Sequence, residues 1–279
     1  MFAITNDKWA LYEFMNQRDL PCLPTVCVGR PGEILDVPED SSIEFPALLK
    51  PVSESGGYGI VKVTNYSDLE RAWHDKRIIN DQEYILQNYI PAVDYSLSVC
   101  CKDGEIIAYT SNRAIVPSER TFGLGRFFAY VNNEQIIDIG RRLVSALEWN
   151  GVADIDFLVD NRDQKIWILE FNPRFWQSLL GGLIAGVNFP LIWCLSALDI
   201  NFSCNQHETT KYLNLSLYIN ELFSRLFRRA QNKDVHWYQT NLKFISTDPL
   251  PEAVEVIRRL NKKIRRKFTL HPKHKKAFS

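Results

Sequence analysis

Asp154-Ile155-Asp156-Phe157-Leu158-Val159 and, six residues later, Ile166-Trp167-Ile168-Leu169-Glu170-Phe171-Asn172-Pro173-Arg174 are the two stretches on which the fold turns. Both alternate with a period of two, the signature of strands with one buried face. Asn161-Arg162-Asp163-Gln164 lies between them as a polar turn, so the pair reads as an antiparallel hairpin. Ile155, Phe157 and Val159 share a core face with Trp167, Leu169 and Phe171, which fixes the parity of the register. The simplest register pairs Val159 with Trp167, Phe157 with Leu169 and Ile155 with Phe171. The other face then pairs Leu158 with Ile168, Asp156 with Glu170 and Asp154 with Asn172. Cross-strand neighbours lie about 5 Å apart at Cβ. Two facing carboxylates repel, and a sheet has no need of them. Screening on a solvated face is one resolution, and a hard divalent cation is another. Asn172 adds an amide oxygen, Pro173 stiffens the turn, and Arg174 places a phosphate-gripping guanidinium beside the acids. The cluster as a whole favours a metal–phosphate site.

Upstream, Leu48-Leu49-Lys50-Pro51 ends a short apolar strand (45–50) on a lysine, and Ser55-Gly56-Gly57-Tyr58-Gly59 follows. Glycines let backbone N–H groups close around phosphate oxygens. No Gly-Lys-Ser/Thr occurs, which excludes a Walker A loop, and the hairpin setting excludes the strand–turn–helix dinucleotide fingerprint. Around these motifs, Asn6 or Asp7 caps a helix to about residue 18 with Trp9, Tyr12 and Met15 on one face. Strands are expected at 25–28, 60–63, 84–87, 95–101 and 105–109. Ser67-Asp68-Leu69-Glu70 reads as a capping box opening a helix to about residue 77. Residues 111–125 read as a long polar loop. Residues 134–149 form an amphipathic helix burying Ile136, Ile139, Leu143, Ala146 and Leu147. Beyond Leu213 the pattern is helical and then weak, and Asp248-Pro249-Leu250-Pro251 opens a last helix. Hairpins interleaved with helices argue for an α+β fold with mostly antiparallel sheets.

The chain has 279 residues, 46% of them hydrophobic and 24% charged, which excludes whole-chain disorder, collagen and coiled coil. Its formal net charge of zero hides an asymmetry: residues 258–279 hold ten Lys/Arg and no Asp/Glu, so the body is acidic and the tail basic. The cysteines Cys22, Cys27, Cys100, Cys101, Cys194 and Cys204 fit neither a zinc site nor a disulfide framework and read as free thiols in a reducing, cytoplasmic setting. No signal peptide is evident. Residues 175–198 carry no charge over a span long enough for a bilayer. Gly181, Gly182, Gly186 and Asn188-Phe189-Pro190 make them two short buried helices instead.

The order of these parts resembles the ATP-grasp superfamily, which includes biotin carboxylase, carbamoyl phosphate synthetase and D-alanine–D-alanine ligase, and within it the carboxylate–amine ligase-like branch. The resemblance runs from about residue 6 to 198. Its strongest motif is Asp156-Phe157 followed by Glu170-Phe171-Asn172-Pro173-Arg174-Phe175. It implies that Asp156, Glu170 and Asn172 hold magnesium, or manganese in its place, on the phosphates of ATP, and that Arg174 supports the transferring phosphoryl group. It further implies that Lys8 and Lys50 contact phosphates and that Ser55, Gly56, Gly57, Tyr58 and Gly59 form a flexible lid loop. Gln87, Asn88, Tyr89 and Ile90 match the interdomain hinge that reads adenine, and Asp94 stands where an acid binds the ribose. Arg113 ranks first among Arg113, Arg120 and Arg126 as a further substrate or phosphate contact.

The implied architecture is an N-terminal helix (1–21), a lid (22–90), a larger catalytic subdomain (91–204), a helical extension (205–257) and a basic tail (258–279). The implied activity is an ATP-dependent ligase joining a carboxylate to an amine through an acylphosphate. The usual N-terminal α/β domain has no counterpart before Lys8, so a truncated or split enzyme, completed by a separate α/β protein, is an expectation. The alternative is a non-catalytic ATP-binding subunit or scaffold. Leu217, Tyr218, Leu222, Phe223, Leu226 and Phe227 form one helical stripe before the basic tail. A packed helix with a solvated tail is preferred there to contact with anionic lipid. The tail offers no stacking platform for nucleic acid.

Overall fold

The computed structural model describes residues 1–38, 40–54, 56–75, 82–116, 127–203, 209–213, 236–250, 254 and 258. The chain divides into two units, Met1–Leu213 and Asn214–Ser279. In the first, α1 (Phe2–Thr5) and α2 (Lys8–Asn16) precede β1 (Thr25–Gly29), β2 (Ala47–Pro51), β3 (Val61–Val63), α3 (Tyr66–Trp73) and β4 (Tyr84–Asn88). Next come β5 (Ala92–Lys102), β6 (Glu105–Val116), β7 (Phe127–Tyr130), α4 (Glu134–Ala146), β8 (Gly151–Asp160) and β9 (Ile166–Asn172). The unit ends with α5 (Leu179–Ile184), α6 (Phe189–Ala197) and β10 (Thr210–Leu213). Two antiparallel sheets result, ordered β1-β4-β2-β3 and β10-β7-β6-β5-β8-β9. The layout is the α+β arrangement expected.

Local signals account for most boundaries. Asp7 caps α2, its carboxylate accepting from Ala10 N at 2.8 Å. The helix buries Leu11, Phe14 and Met15, while Trp9 and Tyr12 stack half-buried with centroids 5.4 Å apart. The capping-box reading needs correction: Asn65 is the N-cap, accepting from Asp68 N at 2.9 Å, and Ser67 lies inside the first turn. Asp68 turns back instead to the Thr64 amide at 3.2 Å. The helix ends at Trp73, and residues 76–81 lie outside the described residues.

The expected loop at 111–125 also needs correction. Residues 111–116 continue β6, with Ser111 opposite Leu97 and Asn112 between Ser96 and Tyr130. Thr110, Ser111 and Asn112 are buried there, so polarity marked an interior strand rather than a loop. Residues 117–126, including Arg120 and Arg126, lie outside the described residues.

The six-stranded sheet has two unlike faces. On one, Leu97, Val99, Cys101, Ile155, Phe157 and Phe171 pack with α2 and α4 in the largest core. Helix α4 buries Ile136, Ile137, Leu143 and Val144 and approaches so closely that a Cβ on Gly140 would lie 2.2 Å from Leu97 Cδ2. On the other face, Cys100, Val152, Trp176 and Phe189 form a core at one end. The remainder of that face carries Asp94, Ser96, Ser98, Asp154, Asp156, Glu170 and Asn172, as the register and pleat require. Cys100 and Cys101 thus serve opposite faces, and Cys22, Cys27 and Cys194 are also free thiols; Cys204 lies outside the described residues.

The uncharged segment forms two short helices, with Asn188 capping the second through Leu191 N at 3.2 Å. Among the described residues no helix is long and apolar enough to cross a membrane. In the second unit the described residues form a 3-10 turn (Trp237–Gln239) and a short helix (Leu242–Ile245). The stripe at 217–227 and the tail beyond 258 lie outside the described residues.

Candidate active site

The β8–β9 hairpin places its acids as the alternation requires: Asp156 pairs with Glu170, Asp154 with Asn172 and Ile155 with Phe171. Beyond Asp156 the expected register fails. A bulge shifts the pairing, so Phe157 faces Ile168, Leu158 faces Trp167 and Val159 faces Ile166. Leu169 becomes the unpaired residue, and Ile168 rather than Trp167 or Leu169 is fully buried. β9 is the sheet edge, and Ile168 N donates outward to Pro21 O at 2.8 Å, alongside a parallel bridge from Cys22. Bulges belong at such edges and beside sites, where they re-aim side chains.

Asp154 and Asp156 are each held by a serine from β5. Ser98 Oγ donates to Asp154 at 2.6 Å, and Ser96 Oγ donates to Asp156 at 2.9 Å. Asn172 Nδ2 donates to the other oxygen of Asp156 at 3.0 Å, and Arg174 donates to Asn172 Oδ1 at 3.2 Å. Burial raises the Asp154 carboxyl to about 6, against help from Ser98 and Arg174. Burial, and then the charges of Asp154 and Glu170, push Asp156 well above the usual carboxylate range. Ser96, Ser98 and the role of Asp154 escaped the sequence reading. Their signal is the polar alternation Asp94, Ser96, Ser98 in β5, which becomes legible once β5 is known to lie beside β8.

From the four-stranded sheet comes Lys50, buried in β2. Its Nζ donates to Gln87 Oε1 at 2.7 Å, and Gln87 Nε2 donates to Thr25 Oγ1 at 2.9 Å. Desolvation lowers the lysine to about 8; Glu170 opposes that shift and Lys8 adds to it. Lys8, at the start of α2, pairs with Glu170 Oε1 at 3.2 Å, and its Nζ also donates to Glu54 O. The structure therefore brings Lys8, Lys50, Asp154, Asp156, Glu170, Asn172 and Arg174 into one cluster.

Other expected residues stand further out. Gly56, Gly57 and Gly59 adopt φ of +66°, +76° and +73°, in the left-handed region that glycine tolerates, and Tyr58 is exposed. Ser55 lies outside the described residues. Gln87 is turned inward onto Lys50. The Asn88 and Tyr89 amides donate to Pro24 O and Pro46 O, and Lys62 Nζ sits 3.5 Å from the Tyr89 ring centroid. Ile90 follows at the end of this segment, and Asp94 is exposed on the carboxylate face of β5. Arg113 is not brought to the cluster: it lies in β6 opposite Tyr95 and Ala129, on the other face of the sheet.

The donor set tests well against a hard divalent cation. It offers carboxylate and amide oxygens, and the mutual repulsion of Asp154, Asp156 and Glu170 is what such an ion relieves. Among the described residues no three His, Cys, Asp or Glu side chains already converge on a metal-sized point. The acids are instead tied to Lys8, Ser96, Ser98 and Asn172.

This constellation, two antiparallel sheets sharing a lysine–carboxylate cluster beside a glycine loop, is that of a nucleotide-grasping domain. Residues 5–178 match the ATP-grasp domain, and the chain belongs to that family. It is 25% identical over 202 residues to a D-alanine–D-alanine ligase of Heliobacterium modesticaldum, covering 62% of this chain and 54% of that protein. It is 22% identical over 181 residues to the arginine-specific carbamoyl phosphate synthase large chain of Halalkalibacterium halodurans, covering 60% of this chain and 16% of that one. The chain thus spans about half the length of the first relative and a smaller part of the second. In fold it is similar to an N5-carboxyaminoimidazole synthetase of Staphylococcus aureus (TM-score 0.59, 14% identity, 81% of this chain and 60% of that one). It is also similar to the biotin carboxylase domain of the Hydrogenobacter thermophilus 2-oxoglutarate carboxylase, solved with MgADP and bicarbonate (TM-score 0.58, 19% identity, 73% and 48%).

Proposed function

We propose that this chain is the ATP-binding and catalytic part of a ligase that joins a carboxylate to an amine through an acylphosphate. The observation that carries the reading is the meeting of buried Lys50 from one sheet with Glu170, the cross-strand partner of Asp156, from the other, with Lys8 paired to Glu170. ATP lies between a lid at 22–90 and a catalytic subdomain at 91–204. Asp156, Glu170 and Asn172 would hold magnesium, with manganese as an acceptable substitute on the same oxygen donors. Such an ion, when bound there, would supply charge neutralisation to the γ-phosphoryl group.

The chain's own residues supply the rest. Lys50 and Lys8 take phosphate oxygens, Lys50 from a dry position where its charge is strongly felt. Arg174 steadies the phosphoryl group in flight. The backbone of residues 55–59 covers the phosphates and keeps water from the acylphosphate. Residues 87–90 border the adenine, and Asp94 accepts from the ribose. A substrate carboxylate oxygen attacks the γ-phosphorus and ADP leaves. The amine then attacks the acyl carbon and phosphate leaves. Arg113 is assigned no step. The experiment is a hydroxylamine trap with candidate carboxylates: hydroxamate and ADP should form together and need ATP, metal and carboxylate. Nucleotide binding without carboxylate-dependent ADP release would select the scaffold instead.

A further inference from the structure

The carboxylates that the ligase reading gives to the metal are already engaged by donors of this chain. Glu170 Oε1 is paired with Lys8 Nζ at 3.2 Å. Asp156 accepts from Ser96 Oγ at 2.9 Å on one oxygen and from Asn172 Nδ2 at 3.0 Å on the other. Asn172 therefore turns its amide nitrogen toward Asp156 and its Oδ1 toward Arg174, whose guanidinium donates to it at 3.2 Å. An amide nitrogen has donors only, so the side chain can ligate a cation only through Oδ1. Ligation beside Asp156 thus requires the amide to turn over, and Oδ1 then leaves Arg174. A cation on Glu170 likewise repels Lys8 from its present position. Lys8 has a second bond, to Glu54 O at the base of the glycine loop, and Gln82 Nε2 holds the Glu54 carboxylate at 2.8 Å.

We propose that Lys8 and the Asn172 amide stand in for the cation in the metal-free protein, and that loading of metal–nucleotide exchanges them. Glu170 and Asp156 pass to the metal, while Lys8 and Arg174 are released to the phosphates in the same step. The inference rests on the ligase reading's assignment of the metal to Asp156 and Glu170. Its consequence is positive coupling: Lys8 opposes the metal alone but favours metal with nucleotide. A residue that merely positioned Glu170 would help both.

The test is Mn2+ binding to the full chain, read from the electron paramagnetic resonance of the free ion, with and without ATP. Without nucleotide, Lys8→Met should bind Mn2+ about fivefold more tightly than the wild type, the worth of one partly exposed ion pair. With saturating Mn2+, the same variant should bind ATP about tenfold more weakly, since a charge-assisted hydrogen bond to phosphate is lost. Lys8→Arg should keep the wild-type pattern. Lys8→Gln repeats the comparison should Lys8→Met fail to fold. Equal or weaker Mn2+ binding by the uncharged variants, with ATP binding by the wild type intact, overturns the exchange and leaves the ligase reading standing. A wild type that takes no ATP at saturating Mn2+ removes the ligase reading, and the exchange with it.

Discussion

The two sheets bury charge of opposite sign, and they hold it in the same way. The four-stranded sheet keeps one cation, Lys50, on a chain of neutral partners, Gln87 and Thr25. The six-stranded sheet keeps Asp154 and Asp156 on the neutral hydroxyls of Ser98 and Ser96. Lys50, Asp154 and Asp156 are each satisfied by hydrogen bonds within their own sheet, while Lys8 joins Glu170 of one to the loop base of the other. Lys50 is pushed down and both aspartates are pushed up, so each sheet carries charge at a cost to its own fold. Residues arranged only for stability would have paired across the gap. The difference points to a ligand with both signs, a polyphosphate and its metal.

Breaking the anionic side should have the largest effect. Glu170→Gln removes one of two facing carboxylates and should weaken metal–ATP binding by about a hundredfold. The nucleotide-induced rise in melting temperature, worth about 2.7 kcal/mol at a hundred times the dissociation constant, should largely disappear. Thermal scans with and without Mg–ATP check it.

Asp154→Asn sharpens the comparison in the opposite direction. Asp154 has its folded value raised to about 6 from 3.8. The folded state therefore favours the proton, and this contribution is full below about pH 4 and lost as pH rises through about 6. At pH 7 the amide variant, which still accepts from Ser98, should be more stable without ligand by up to about 2 kcal/mol and should bind metal–ATP less well. Denaturant melts at pH 5 and pH 7 should show a gain at both, the larger at pH 7.

The cationic side yields a pH dependence. With Lys50 titrating at about 8 in the free protein and higher beside phosphate, its contribution to nucleotide affinity should be full below pH 8. Above it, affinity should fall by up to about tenfold per pH unit. Lys50→Arg, which stays charged, should flatten that limb in calorimetric titrations.

The smallest effect belongs to the glycine loop. Gly57→Val places a β-branched residue at φ +76° and should destabilise by about 1–2 kcal/mol while slowing turnover or weakening ATP binding. Nucleotide affinity and kinetics like the wild type would reduce residues 55–59 to an ordinary turn.

The same contrast explains what could be read beforehand. Asp156 and Glu170 were legible because period-two alternation and like-charge repulsion are local properties of one hairpin. Lys50 was legible as a lysine ending an apolar strand. Ser96, Ser98, Thr25 and the bond of Gln87 to Lys50 were not, because the partners come from strands 37 to 62 residues away and neutral hydroxyls and amides leave no charge pattern. Arg113 was misplaced because polar Thr110, Ser111 and Asn112 suggest a loop, whereas the sheet buries them. The bulge at Leu169 depends on the outer edge of β9 meeting Pro21 and Cys22, a contact across almost 150 residues of chain. Periodicity within the hairpin carries no trace of it.

The central claim, that Asp156 and Glu170 form with Lys50 a metal-dependent nucleotide site, is tested most directly by calorimetric titration of the full chain with ATP, once in saturating magnesium and once in EDTA. The account predicts binding with magnesium, its near loss in EDTA, and a comparable loss in Glu170→Gln with magnesium present. Equal affinity in magnesium and EDTA would contradict it.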